Sequence, residues 1–519
     1  MVIGTFRHAP AVRSLVAAVV AFALAACTGS DPEPAGSPNP ATTTSSPDAE
    51  VAAFGDLPPC DDDASWLCGS VSVPLDRAEP EGEQLEIAFY VRPHSDDSTP
   101  AAEPVFVTPG GPGYNVWTDR EALIANTALT ANHDIVDVAT RGTGASGAID
   151  CADFQSGFSS LRELRNDTSA CGAQLGDDAD RYGGGDVAMD VDAVREALGF
   201  ETIDYYGFSY SSVDAQAYAA RFPERLHAVV LDSGLPVTDE GHAFFWGLGV
   251  PETLVRVSAL YCEEDLACSA AFPDAEADLR RMIGDVGRHP LEGRDAKAAG
   301  IPADLVVDQT AVAYLLSSVP WDLSPADLLD AAGALEHGNP APLMRLVQHS
   351  PPFIPDGDGL PTDFSSGDSA ARSCNDQDAV WDRSDPPAAR EDALAAELDA
   401  LPANAFAPFT KQTWNDYWWL DMCLGWPAPD RFEPSVPEGA VFDGIPALIL
   451  AGDLDTVVST ETSRALLEGF PDATFLLVRG AGHNTIGSDT CAGEIVTTFF
   501  DTLDAGDTTC AGPQPQFER

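Results

Sequence analysis

The sequence predicts a mixed α/β fold: a mostly parallel β-sheet covered by helices on both faces and interrupted by a long helical insertion. Three observations point there. Between residues 84 and 231, short β-branched and aromatic runs alternate with stretches of helical spacing, the pattern of parallel strands joined by crossover helices. From about residue 236 to about residue 426 that alternation stops and the segments read as helices. Strand-like runs return at 446–452 and 473–478, so the sheet resumes after the insertion.

Taken in order, residues 1–26 read as an export signal and stand outside the fold. Arg7 and Arg13 supply positive charge, and 15–26 is an apolar run too short to anchor across a bilayer. The run ends Leu24-Ala25-Ala26-Cys27, which resembles the lipobox of bacterial lipoproteins. That resemblance implies cleavage before Cys27 and lipidation of its thiol. Residues 27–58, rich in Pro, Ser, Thr, Ala and acid, read as a flexible tether. The body follows: a first sheet portion at 59–235, a helical lid at 236–430, a second sheet portion at 431–512 and a tail at 513–519. In the first portion, 84–91 alternates as a strand. A short buried strand at 104–107 runs into Thr108-Pro109-Gly110-Gly111-Pro112-Gly113. The strand at 134–138 precedes Arg141-Gly142-Thr143-Gly144-Ala145-Ser146, and 186–198 has helical spacing. The strand at 202–206 ends in Gly207-Phe208-Ser209-Tyr210-Ser211, a helix occupies 213–222, and 226–231 is again a strand. Lid helices are expected at 250–261, 274–286, 308–316, 325–335 and 387–401, and a helix at 491–503 closes the body. Trp414 and Trp418 share a helix face and read as lid packing.

Composition narrows the function. The 519 residues carry 83 acidic and 27 basic side chains, a net charge of −56, and the only lysines are Lys297 and Lys411. Such a surface argues against nucleic acid and anionic lipid as partners and reads as a solvated acidic shell. Eleven cysteines less Cys27 leave ten: Cys60, Cys68, Cys151, Cys171, Cys262, Cys268, Cys374, Cys423, Cys491 and Cys510. An even number in an exported chain argues for disulfides, and the simplest scheme pairs them in order. No Cys-x-x-Cys or His cluster suggests a metal, and no Gly-Lys-Ser/Thr follows the glycine loop to cradle phosphate. No cofactor is implied. A monomer is expected.

The chemistry is carried by a strand, a sharp turn and a helix with Ser209 at the apex. A Ser hydroxyl needs a base, and the base needs an orienting acid. The strand ending at Gly452 is followed by Asp453-Leu454-Asp455, and the strand ending at Val478 by Arg479-Gly480-Ala481-Gly482-His483. His483 is the expected base and Asp455 the expected acid, with Asp453 as the fallback. Two backbone donors should stabilise the oxyanion: the Tyr210 N–H after the nucleophile, and Gly111, or alternatively Gly110, on the Gly-rich loop.

Together these stretches resemble the prolyl-aminopeptidase-like branch of the α/β-hydrolases, including actinobacterial tripeptidyl aminopeptidases and mycobacterial cell-envelope serine proteases. The matching segments are Pro-Gly-Gly-Pro-Gly, Arg-Gly-Thr-Gly-x-Ser, the Gly-x-Ser-Tyr nucleophile elbow, Gly-Asp-Leu-Asp and the final Gly-His with a Cys after it. Cys374-Asn375-Asp376 and Cys423 before Trp426-Pro427 also look like that branch. The resemblance implies an α/β-hydrolase sheet with a large lid. It also implies a membrane-anchored extracytoplasmic enzyme releasing short peptides, with peptides as substrates and the membrane met only through the lipid. An enzyme acting at free N-termini would need carboxylates for the substrate ammonium, for which Asp376, Glu263 and Glu264 are the candidates, with Asp239 and Glu240 behind them. An esterase or lipase acting on envelope esters is the alternative, and an inactive envelope-binding lipoprotein a third, disfavoured by the intact Ser-Asp-His set. Two positions depart from the pattern: Ala139 where the branch has Asp, and Ser211 where it has Gly. Ser211→Gly is expected to be tolerated.

Overall fold

The computed structural model describes residues 57–514 apart from 97, 99–100, 157–160, 238–241, 295, 297–299, 320–322, 350–358, 378 and 430–433. The export signal, Cys27, nearly all of the tether, and Asp239 and Glu240 lie outside the described residues. In chain order the strands are β1 (Leu67–Pro74), β2 (Gln84–Arg92), β3 (Val105–Val107), β4 (Ile135–Val138), β5 (Ile203–Phe208), β6 (Leu226–Asp232), β7 (Leu291–Glu292), β8 (Val306–Val307), β9 (Ala447–Gly452) and β10 (Thr474–Val478). Eight of them form one sheet in the order β1-β2-β4-β3-β5-β6-β9-β10. The β1–β2 and β2–β4 pairings are antiparallel, and the rest are parallel. β7 and β8 make a separate antiparallel pair inside the insertion.

The central strands are buried on both faces, which is why they read as unbroken apolar runs. Their two-residue period divides them between two cores. Val229, Leu231 and Ile449 face a layer with Val187, Val191 and Tyr218, from the helices Gly184–Leu198 and Ser211–Arg221. Val230, Leu448 and Leu450 face Ile495, Val496 and Phe499 of the helix Thr490–Thr502. This is an α/β-hydrolase sheet.

Between β6 and β9 the described regular elements are helices apart from the short β7–β8 pair, and Leu254, Leu279, Leu316, Leu328 and Trp414 join a third core. That core also recruits the helix Leu161–Leu175, between β4 and β5, through Leu164 and Cys171. Gly172 of this helix lies under Pro427, where a Cβ would come within 2.4 Å of the proline Cδ. Among the elements without a sequence expectation, β1 and the helix Ser366–Asp376 have clear physical reasons. β1 offers only Val71 and Val73 to the core, too short an alternation to stand out. The helix Ser366–Asp376 has almost no apolar stripe; it is fixed instead by its Ser365 cap, whose Oγ accepts from the Asp368 N–H at 3.0 Å, and by burial.

All ten body cysteines are bridged in sequence order: Cys60–Cys68, Cys151–Cys171, Cys262–Cys268, Cys374–Cys423 and Cys491–Cys510. Cys374–Cys423 closes the longest loop, 49 residues, and ties the helix Ser366–Asp376 to the stretch after the Trp-rich helix Lys411–Trp418. Replacing both of these cysteines by alanine is expected to cost roughly 2–5 kcal/mol of stability. Thermal unfolding of the oxidised proteins measures it, and an unchanged midpoint would show that the bridge does not hold the lid.

Candidate active site

Ser209 sits at the turn between β5 and the helix Ser211–Arg221, with φ at 53°, a left-handed conformation that costs a non-glycine residue strain. The turn is tight because strand and helix nearly touch. A Cβ on Gly207 would lie 3.0 Å from Ser212 Cα and 3.1 Å from Ser211 O, so glycine is needed there. On the helix side the small residue is Ser211, and its hydroxyl is engaged. Ser211 Oγ lies 2.8 Å from Thr108 Oγ1, which also lies 3.0 Å from Tyr205 Oη and donates to Asp214 Oδ2 at 2.8 Å. Every group in that set is buried.

The loops after β9 and β10 bring the expected partners to Ser209. His483 Nε2 lies 2.9 Å from Ser209 Oγ, and His483 Nδ1 lies 2.8 Å from Asp455 Oδ2. The other Asp455 oxygen accepts the Val457 and Val458 N–H groups, both at 2.8 Å, so the carboxylate cannot turn away. With Nδ1–H donated to Asp455, the Nε2 lone pair faces the serine hydroxyl, which is the arrangement a general base needs. Asp453 is occupied elsewhere: it accepts from Arg479 at 3.1 Å and from the Gly480 N–H at 2.7 Å, which ties the two loops together. Gly452 permits their contact, since a Cβ there would meet Ala481 O at 2.3 Å. Burial acts to lower the His483 pKa. The charge and hydrogen bond of Asp455, with Asp232 beyond, overcome burial and hold it above the ordinary histidine value.

Asp232, at the end of β6, had not been singled out from the sequence. Its carboxylate accepts the Thr485 N–H at 3.0 Å, the Ile486 N–H at 3.3 Å and the Tyr206 hydroxyl at 2.8 Å, while Ser233 Oγ accepts the Asn484 N–H at 3.2 Å. These bonds fix the segment that follows His483. A buried acid closing a strand directly before a Ser-Gly turn was the available signal.

The Gly-rich loop presses on the nucleophile. A Cβ on Gly110 would lie 3.5 Å from Ser209 Cβ, and Gly111, at φ 114°, would drive one to within 2.7 Å of the Tyr114 ring. Glycine at both positions lets the backbone approach a reacting carbonyl. Tyr210 caps the helix directly after Ser209, and the Gly110 contact sets the loop beside the nucleophile.

The proposed ammonium acceptors are placed differently. Asp376 lines a small cavity beside Tyr210, with its carboxylate already engaged. It accepts from Arg372 Nε at 3.0 Å, the Tyr210 hydroxyl at 3.1 Å, the Gly184 N–H at 2.7 Å and Ser435 Oγ. Glu263 and Glu264 are exposed at the end of the helix Val250–Glu264, beside the Cys262–Cys268 bridge, and do not line the cleft next to Gly111. Arg372 also pairs with Asp214 of the elbow helix, so one buried guanidinium holds a carboxylate from the lid and one from the sheet domain. Nearby Asp368 is fully buried, and neither of its oxygens has a hydrogen-bond partner among the described atoms. Burial pushes its pKa up to about 8 against the pull of Arg372, with Asp214 and Asp376 adding to the rise. The Arg-Gly-Thr-Gly segment plays a structural part: wholly buried Arg141 grips Asp190 at 2.7 and 2.8 Å and two backbone carbonyls. Ala139, at the departure from the family pattern, is buried, and its carbonyl accepts from Ser146 Oγ at 2.9 Å.

Residues 103–256 match the family model described as alpha/beta hydrolase fold, and residues 408–510 the one described as TAP-like protein. Fold, site and matches together give the chain an α/β-hydrolase fold and define it as a serine hydrolase. Relatives are matched along most of its length. The tripeptidyl aminopeptidase of Streptomyces lividans is 25% identical over 470 residues, covering 86% of this chain and 83% of its own. Serine protease Hip1 of Mycobacterium tuberculosis is 24% identical over 461 residues, covering 84% of this chain and 85% of its own. Carboxylesterase B of Mycobacterium tuberculosis is 25% identical over 406 residues, covering 72% of this chain and 73% of its own.

Two outcomes follow from this geometry. A base must be unprotonated, so activity falls as pH drops through the His483 pKa, which lies above the ordinary value of about 6.5. Asp455→Asn removes the charge that raises it and leaves burial, so the acid limb of kcat/KM should move to lower pH while kcat drops by roughly 10³–10⁴. An unmoved acid limb would assign it to another group. Ser211→Gly deletes one buried hydrogen bond to Thr108 and should cost about 1 kcal/mol by denaturant unfolding, with kcat within about two-fold. A larger fall in kcat with little loss of stability would mean the hydroxyl steers Ser209.

Proposed function

We propose that the chain is an exported, lipid-anchored serine peptidase that releases short peptides from free N-termini through an acyl-enzyme. The contact that carries the reading is Ser209 Oγ to His483 Nε2 at 2.9 Å with Asp455 behind the imidazole. In the proposed cycle His483 takes the Ser209 proton as Oγ attacks the scissile carbonyl. The Tyr210 and Gly111 N–H groups hold the oxyanion, a contribution of about 3–4 kcal/mol per donor in such sites. The imidazolium then protonates the leaving amine, and water, activated by the same histidine, releases the acyl group.

Relatives named as a tripeptidyl aminopeptidase and a serine protease, each matched along more than four-fifths of this chain, favour amide over ester substrates. The esterase reading is kept because of the relative named Carboxylesterase B. Export and anchoring rest on the 15–26 apolar run and on Leu24-Ala25-Ala26-Cys27.

The test is a panel of tripeptide 4-nitroanilides with a free or an acetylated N-terminus, beside 4-nitrophenyl esters, with Ser209→Ala as control. Cleavage of the free peptides at least about ten-fold faster than the acetylated ones is expected. Equal turnover of both, or ester cleavage alone, overturns the aminopeptidase reading.

A further inference from the structure

We propose that the cleft beside Gly111 is the pocket for the side chain on the acyl side of the scissile bond, and that it selects a large apolar or aromatic residue there. The proposal rests on the peptidase reading above and names its substrate class. The cleft has a volume of about 180 Å³ and is bounded on one side by Gly111 and Pro112. That is enough for an aromatic ring, since an apolar cavity of about 150 Å³ binds benzene.

Its side relative to the chemistry follows from its walls. The leaving group must lie against His483, which protonates it. No residue of the loops carrying Asp455 or His483 lines the cleft, whereas the donor loop does. A substituent entering the cleft therefore sits on the acyl side.

The chemistry of the walls sets the preference. Phe154, Phe245, Phe364, Trp418 and Met422 form the apolar part. Ser366, Ser369 and Ser373 of the helix Ser366–Asp376 face them, and among the described residues no charged side chain lines the space. An Asp or Lys side chain would enter without a counter-charge, which is costly, while an apolar one gains by leaving water. The aromatic wall is held before substrate arrives. Trp418 stacks on buried Trp414 with centroids 5.6 Å apart and donates to Phe244 O at 3.2 Å. Trp419 is kept at φ 56°, a strained conformation for a bulky residue, and its Nε1–H donates to Tyr314 Oη at 2.9 Å. Strain of this kind persists where the surroundings over-determine it, and here it lies at the rim of the cleft.

The experiment measures kcat/KM for Ala-Ala-X 4-nitroanilides with X as Phe, Leu, Ala, Asp or Lys. Phe and Leu should exceed Ala by roughly 10–100-fold, with Asp and Lys lowest. Ser369→Phe, which fills the cleft, should cut the Phe-to-Ala ratio by at least about ten-fold. Met422→Ala, which widens it, should raise the rate for X as Trp relative to Leu, and serves where the filled variant does not fold. Peptides cleaved with a flat profile, or with Asp or Lys preferred, would overturn the pocket and leave the peptidase reading standing. No peptide cleaved, with Ser209 still labelled by a fluorophosphonate, would overturn both.

Discussion

One guanidinium connects the two halves of the working site. Arg372 is 1% exposed, lies on a lid helix, and pairs with Asp376 on its own helix and with Asp214 on the helix that starts at the nucleophile. Tyr210, the residue after Ser209, is drawn into the same knot: its hydroxyl donates to Asp376 and to the Arg372 carbonyl. Burying three charges has a large desolvation cost, and well-packed apolar groups could match the net stability. An apolar contact could not fix direction. The ion pairs set the distance and rotation of the lid helix against the elbow, and through Tyr210 they reach the peptide unit expected to hold the oxyanion. Removing one partner from such a set typically costs about 3–5 kcal/mol, because a charge is left buried without its counter-charge.

The other constraint is stored strain. Ser209, Ser233 and Asn484 all take positive φ, at 53°, 49° and 73°, and none is a glycine. They belong to the nucleophile turn, the end of β6 and the step after His483. Asp232 joins them: its backbone carbonyl accepts the Ser209 N–H at 2.9 Å, and its carboxylate accepts the two amides beyond Asn484. The serine and histidine are thus referenced to one buried residue, which explains how loops from distant parts of the chain hold a 2.9 Å contact. Gly207 and Gly452 do the complementary steric work, each leaving out a Cβ where two backbones meet.

What the sequence made legible follows from this. Ser209, Asp455 and His483 each stand just past an apolar run, and a strand end is the position that a one-dimensional pattern reports best. The order of the cysteines was equally readable, because each bridge is local except Cys374–Cys423. Apart from the helix Ala341–His349, the longer lid helices with an apolar stripe were visible within a few residues. The helix Ser366–Asp376 was not, since its buried face is polar and its partners come from elsewhere in the chain. The same blindness hid the partners of Asp376. A carboxylate announces charge but not its partner, although Arg372, four residues earlier and on the same helical face, was the available clue. Ser211 looked like a small residue standing in for glycine, and only Thr108, a hundred residues away, shows that its hydroxyl is engaged.

The charge balance can be understood in the same terms. Among the described residues five arginines, Arg141, Arg181, Arg195, Arg372 and Arg390, are buried, and several neutralise interior aspartates such as Asp190, Asp192, Asp214 and Asp376. Arginines paired inside are not available to the surface, and the chain as a whole keeps a net charge of −56 from 83 acidic and 27 basic residues. The resulting field is screened over about 8–10 Å at physiological salt, so among exposed groups it acts mainly on charged molecules close to the surface. The described lining of the cleft beside Gly111 carries no charge of its own, so the selectivity proposed for it rests on shape and desolvation.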